Sequence, residues 1–388
     1  MQKHPKQSLI ECFQIISDPR LDRTKEHELV DVLVIAICTL LCVGESFYDM
    51  EDFGKAKEDW FRTFLSLRNG IPSHDTFTRV FAAIDPDQFL ECFLLWTQSV
   101  REAIPEEIVA LDGKAIRRAI DKGQSPKYVV SAWAESNGLV LGQMKVADKT
   151  NEITVIPTLL RRLELAGCIV TLDAMGCQKN IAREIIEADA DYVLALKGNH
   201  QTVHREVSTF LDATLLEQKK KRPKGAVIAP EVAGLQFYET IEKGHGRLET
   251  RRYYQSDYLD WFADRSQWEG LRSVGMVEAT REVNGQKSVE RRYFLSSLAL
   301  NAEKFGRAVR FHWSIENKLH WTLDVVFGED QSRARSGYAI ENLAALRRLA
   351  LNLLKGEKSK KRGIKGKMLN ACWDHSYLLK LLGLQPSL

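Results

Sequence analysis

The sequence predicts an α/β protein: a mixed sheet with helices around it, a helical N-terminal domain and a β-rich insertion. Three observations carry that expectation. Apolar residues recur near every 3.6 positions in "LIECFQII" and in the run from Val30 to Cys42. Between residues 108 and 197, β-rich runs and amphipathic segments follow one another as strand, hairpin, helix, strand, helix, strand. Between residues 200 and 300, β-branched and aromatic runs are separated by glycine turns, including Asn284-Gly285.

A chain of 388 residues has room for two or three domains at about 150 residues each. Hydrophobic residues make up 44% and charged residues 28%, the balance of a soluble globular protein. Net charge is only +3, from 55 basic and 52 acidic residues, so a polyanion partner would need local clusters of cations. The seven cysteines include no C-x-x-C pair, which argues against a zinc ribbon or a thioredoxin-type site. Their odd number and apolar surroundings suit reduced, buried thiols in the cytoplasm. The most apolar run, "LVDVLVIAICTLLCVG", carries Asp31 and is shorter than the roughly 20 apolar residues of a membrane span. It reads as a buried helix, and it lacks the position and flanks of a signal peptide.

Taken in order, "IPSHDTF" is a turn into a short helix capped by Ser73 with Arg79 outward, either a DNA-reading element or a plain connector. "DPDQFLECFLLWTQSV" starts a helix with Asp85 as N-cap and Pro86 in its first turn. "IVALDGKAI" is a buried strand running into Asp112, and "YVVSAWAESNGLVLGQMKV" a hairpin about Asn137-Gly138. "NEITVIPTLLRRLELAG" is a helix from about Ile156, closed by Gly167. Strand "CIVTLD", helix "QKNIAREIIEADA" and strand "DYVLALKG" follow, the helical crossover making these strands parallel to the first. Five of the six residues from Lys219 to Lys224 are basic. The β-rich pieces after them are an insertion, or the last part of the sheet plus an insertion. "EKFGRAVRFHWSIENKLHWTL" reads as one long helix and "YAIENLAALRRLALNLLK" as another. "KGEKSKKRGIKGK", residues 355–367, reads as a flexible basic loop, and "MLNACWDHSYLLKLLG" as one closing helix.

Two strands that both run into an aspartate, Asp112 and Asp173, raise the question of charge. A buried lone carboxylate is costly, and a cation would compensate it; a strand-end turn is the plainer alternative. Glu316, among His312, Trp313 and His320, is the best third carboxylate. Three carboxylates without cysteine suit a hard cation such as Mg2+, and a pair of such ions suits phosphodiester chemistry. A zinc reading of His312, Glu316 and His320 is the weaker alternative, because the eight-residue helical step between the two histidines spans about 12 Å. Lys114, Arg117 and Arg118 follow Asp112 and could hold phosphates or form a solvated turn. Lys197 and Asn199 could line the same cleft. His245, Arg247 and Arg251 could contact DNA or merely form a tight hairpin. The clusters 219–224 and 355–367 could bind a phosphate backbone with salt-sensitive affinity, or be solvated charge runs.

Read together, "LDGK", "TLDAMGCQ", "YVLALKGNH", "GHGRLETRR" and "HWSIENKLHWTLDVVFGED" resemble the DDE-type insertion-sequence transposases of the H-repeat-associated family, over nearly the whole chain. The resemblance implies a ribonuclease H-like core in residues 105–200 and 290–355. Around it would lie a DNA-binding helical domain in 1–100, a β-rich insertion in 201–289, and a basic loop and helix in 356–388. It implies Asp112, Asp173 and Glu316 as the catalytic, metal-holding triad, with Mg2+ as cofactor and Mn2+ able to substitute. The activity would be cutting of transposon ends to free a 3′-hydroxyl, then strand transfer of that hydroxyl into target DNA. The partners would be double-stranded DNA, as terminal inverted repeats and target, and a second copy of the chain bridging two ends. One departure stands out. Broader relatives carry Tyr, Arg and Lys around the third carboxylate where this chain has Val309, His312 and Leu323, which leaves Arg310, Lys318 or Arg333 for the phosphate contact. A nuclease without strand transfer and an inactive DNA-binding remnant fit the same residues.

Overall fold

The computed structural model describes residues 8–118, 127–146, 152–221, 234–244 and 247–384. In chain order, the N-terminal helices are α1 (Leu9–Phe13), α2 (Leu29–Leu41), α3 (Phe47–Ala56), α4 (Glu58–Phe61), α5 (His74–Ala83) and α6 (Pro86–Val100). Then come β1 (Ile108–Ile116), β2 (Lys127–Ala134), β3 (Leu139–Val146), α7 (Glu152–Arg162), β4 (Ile169–Leu172), α8 (Lys179–Glu187), β5 (Asp191–Leu196) and α9 (Gln201–Lys221). The rest is β6 (Leu235–Gly244), β7 (Arg247–Ser256), β8 (Ser273–Val283), β9 (Gln286–Ser296), α10 (Ala302–His312), α11 (Trp321–Val325), α12 (Ala339–Gly356), α13 (Ile364–Trp373) and α14 (His375–Leu381). They form two compact units, one of residues 1–104, 113–151 and 315–388, the other of 105–112 and 152–314. Strand β1 is shared between them.

The first unit is built on α12. Apart from Glu341, every residue from Ala339 to Leu354 is buried, as a helix surrounded by others requires. It packs on α2, α5, α6 and β3. The apolar run at Leu29–Leu41 is indeed a buried helix, and Asp31 within it accepts the Leu67 N–H at 3.0 Å. No described helix is long and apolar enough to cross a membrane. Ser73 caps α5 by accepting the Thr76 N–H, Arg79 is exposed, and Asp85 caps α6 with Pro86 in its first turn. Strands β2 and β3 pair antiparallel, with Gly138 at φ +66° in the turn.

The second unit holds a mixed sheet in the order β1-β4-β5-β9-β8-β7-β6. β1, β4 and β5 run parallel; β9 pairs antiparallel with β5, and β6 to β9 form an antiparallel meander. The β-rich pieces therefore continue the sheet. Asn284 and Gly285 both take positive φ, +50° and +78°, as a tight two-residue hairpin demands. Helix α10 packs on β4, β5, β6 and β7, and its Phe305, Ala308 and Val309 share a core with Ile108, Ile169 and Val193.

Several expectations need correction. Residues 201–221, assigned to a β-rich insertion, form helix α9, because apolar residues Val203, Val207, Leu211 and Leu215 recur at helical spacing and are buried. Helix α7 starts at Glu152 and ends at Arg162, so Gly167 (φ +73°) does not close it. Instead Gly167 turns the chain into β4, donating its N–H to the Asp189 carbonyl. The long helix expected over 303–323 is α10, a turn at Trp313, a π-helical turn at Glu316–His320, and α11. The basic segment 355–367 is not simply loose: Lys367 is buried and donates to the carbonyls of Leu354 and Glu357, and α13 starts at Ile364. The closing helix is two helices, because Asp374 starts α14 by accepting the Tyr377 N–H. Asp112 lies within β1 rather than at its end, at the point where the pairing with β4 stops.

Candidate active site

In the second unit, Leu111 pairs with Leu172, and the next residue on each chain segment is an aspartate, Asp112 within β1 and Asp173 one residue past the end of β4. Strand alternation fixes where they point. Ile108, Ile169 and Val193 face α10 in the core. Counting in twos, Asp112, Asp173 and Lys197 emerge on that same face. Asp173 is half-buried, and its Oδ1 accepts the N–H groups of Met175 and Gly176 at 3.0 and 3.3 Å. Its Oδ2 accepts no hydrogen bond among the described residues. Thr171, two residues earlier, meets His312 Nδ1 at 3.0 Å. Burial, offset by the charge of Asp173, pulls His312 down to about 4, so its ring is neutral at pH 7. Lys197 adds to that pull and is exposed at the end of β5.

Asn199 is exposed. Its Nδ2 donates to the Ala174 carbonyl at 2.6 Å, and His200 Nε2 bonds the Cys177 carbonyl at 2.6 Å. Together they hold the loop that follows Asp173. Arg310 and Arg251 both pair with Glu242, at 3.2 and 3.0 Å, and Arg251 also pairs with Glu249. His245 lies outside the described residues; Arg247 opens β7, but its side chain also lies outside them.

In the first unit, Glu316 is exposed and begins the π-helical turn, a local widening frequent at functional sites. Lys318 pairs with Glu135. Arg333 is exposed, and Arg117 reaches Asp330 at 3.4 Å. Lys114, read from sequence as a phosphate contact, is 6% exposed and lies against Asp324, Glu329 and Asp330 at 2.6, 3.3 and 3.0 Å. In that position it is engaged by carboxylates rather than offered to a phosphate. Sequence reasoning missed this cluster and the Thr171–His312 contact. One signal was available: adjacent Arg347 and Arg348 within the largely apolar run from Leu343 to Leu354 need buried anions.

The family described as "Transposase DDE domain" matches residues 104–353, and the one described as "DDE_Tnp_1-associated" matches residues 10–97. The chain belongs to the DDE-domain transposase family. The H repeat-associated putative transposase YhhI of Escherichia coli K12 is 37% identical to it over 96% of this chain and 97% of that one. The putative transposase YncI of Escherichia coli O157:H7 is 37% identical over 97% and 94%. A shorter match, 38% identical over 19% of this chain and 86% of that protein, is named inactive transposase YbfQ. A solved piggyBac transposase synaptic complex aligns with 97% of this DDE-domain chain and 80% of that chain at 13% identity and a TM-score of 0.42, too slight a likeness to carry an argument.

The donor set of this DDE-domain chain fits a hard divalent cation. Asp112 and Asp173 offer oxygen, and the nearby Cys177 is buried with its thiol pushed far up by that burial and by Asp173, so no thiolate competes. Within either unit, no group of three or more His, Cys, Asp or Glu among the described residues is arranged to hold an ion.

Proposed function

We propose that this chain cuts and joins transposon ends, with Asp112, Asp173 and Glu316 holding Mg2+, or Mn2+ in its place. The observation that carries the reading is that Asp112 and Asp173 directly follow Leu111 and Leu172, the last paired residues of two neighbouring parallel strands. Bound there, a pair of divalent ions would activate the attacking oxygen and stabilise the leaving one.

The chain's own groups supply the positioning. The two backbone N–H groups on Asp173 Oδ1 fix the carboxylate's orientation and leave Oδ2 for an ion. Lys197, on the same face, is placed to hold a phosphate oxygen of the DNA strand. The neutral ring of His312, fixed by Thr171, occupies the place of the companion arginine without adding a charge beside Asp173. Arg251 and Arg310 stand in exposed or half-buried ion pairs, which contribute about 0–1 kcal/mol each and can be exchanged for phosphate contacts. Lys318 and Arg333 are the phosphate candidates near Glu316. The partners are the terminal inverted repeats and target DNA, with two copies of the chain bridging two ends in the cytoplasm.

The test is Asp112→Asn. It should abolish Mg2+-dependent nicking of end DNA while end binding in a gel-shift assay changes less than about threefold. Unchanged nicking contradicts the assignment. Pre-cleaved ends offered with target DNA should be joined by the unaltered chain; cutting without joining would make it a nuclease. Binding without either reaction, in Mg2+ and in Mn2+, would make it an inactive remnant.

A further inference from the structure

The buried charges of the first unit do more than neutralise one another. Lys114 lies two residues past Asp112 on β1, and its ammonium touches Asp324, Glu329 and Asp330. Asp324 lies eight residues past Glu316. Glu329 is fully buried, and its other oxygen meets Arg348 Nη1 at 2.6 Å. Arg348, also fully buried, donates through Nε to Ser131 of β2 at 3.0 Å and through Nη1 to the Ala344 carbonyl at 3.0 Å. The charges run in series from β1, through α11 and the segment after it, to α12, and a hydrogen bond from Arg348 to the Ser131 hydroxyl returns to β2.

Such a cluster is expensive to bury and could be replaced by apolar side chains at equal stability. What it supplies is geometry, since Lys114 is held by three carboxylates, and one of them, Glu329, is held in turn by Arg348 of α12. Apolar side chains can pack against one another in more than one way, whereas Lys114 must meet three particular carboxylates.

We propose that Lys114 is a positioning residue. Held by Asp324, Glu329 and Asp330, and through Glu329 by Arg348, it locks β1 just beyond Asp112 to the chain just beyond Glu316, and so sets the aim of two of the three ion-holding carboxylates. This rests on the function proposed above, and it adds the device that aligns the site.

Asp324→Asn tests it first. Asp324 is one-third exposed, and its loss leaves Lys114 with Glu329 and Asp330, so the fold should survive. Lys114→Met and the conservative Lys114→Arg complete the set. Amide hydrogen exchange on the full chain should speed up about tenfold or more over residues 111–116 in Asp324→Asn, while the amides of α12 stay at wild-type rates. Mn2+ binding, read by electron paramagnetic resonance on the protein alone, should weaken about fivefold or more in Asp324→Asn and in Lys114→Met. Lys114→Arg should recover most of it. Unchanged exchange in β1 would overturn the lock. Faster exchange with unaltered Mn2+ affinity would overturn its role in aiming the carboxylates. A wild-type chain that binds no Mn2+ would sink the carboxylate-site reading instead, and the lock would then stand or fall on the exchange rates alone.

Discussion

Glu329 shows most clearly what a single residue contributes. Burial alone would raise its carboxyl, but Arg348, Lys114 and Arg347 hold it down at about 2. A folded-state value below the ordinary 4.5 means that its stabilising contribution is complete above about pH 4.5 and is lost as the pH falls toward 2. Glu329→Gln should therefore lower stability at pH 7 by about 3–5 kcal/mol and flatten the decline between pH 5 and 2. Urea unfolding at pH 7 and pH 3 measures both, and equal destabilisation at the two pH values would contradict the account. Asp112 and Asp173 stand out in the sequence because each closes an apolar run, although a strand-end turn gives the same pattern. Lys114 was misread because its partners lie more than two hundred residues along the chain, and a lone cation beside an aspartate looks like a phosphate contact. His312 hid for a similar reason: nothing local ties it to Thr171.

At the scale of elements, α10 covers the face of the sheet that carries Ile108, Ile169 and Val193. Its approach to the sheet depends on a glycine. A Cβ on Gly275 in β8 would lie 2.4 Å from the ring of Phe305, which is fully buried and cannot yield. Gly275→Ala should cost about 1–3 kcal/mol through overpacking. Chemical denaturation checks this, and a neutral result would mean that α10 sits farther off the strands than described. Strands and hairpins here were legible from alternation and from Asn-Gly pairs. Helix interruptions were not. The π-helical turn at Glu316 and the break at Trp313 leave the apolar spacing of "EKFGRAVRFHWSIENKLHWTL" helical on average. Similarly, Asp374 divides what reads as one amphipathic segment into α13 and α14.

For the whole molecule, a net charge of +3 leaves DNA affinity to local clusters. Lys358, Lys360, Lys361, Arg362 and Lys365 are exposed, whereas Lys367 is buried and structural. Changing the five exposed cations to Gln should weaken end binding and reduce the slope of log affinity against log salt by about 0.9 for each DNA phosphate that is no longer neutralised. An unchanged slope would assign the segment no phosphate role. Deleting 355–367 outright is a poorer test, because it removes the Lys367 hydrogen bonds that close α12. The α/β class and its mixed sheet follow from periodicity alone, and membership of the transposase family agrees with the motifs "LDGK" and "SIENKLHW". Where the compact units divide was not legible, since the division falls inside β1, an uninterrupted strand in the sequence pattern.

The claim on which all of this turns is that Asp112, Asp173 and Glu316 hold divalent ions together. Anomalous scattering from crystals grown with Mn2+ and end DNA tests it most directly. The account predicts one or two manganese peaks, each within about 2.2 Å of carboxylate oxygens, with all three residues contributing. Manganese bound elsewhere, or bound without Glu316, would contradict it.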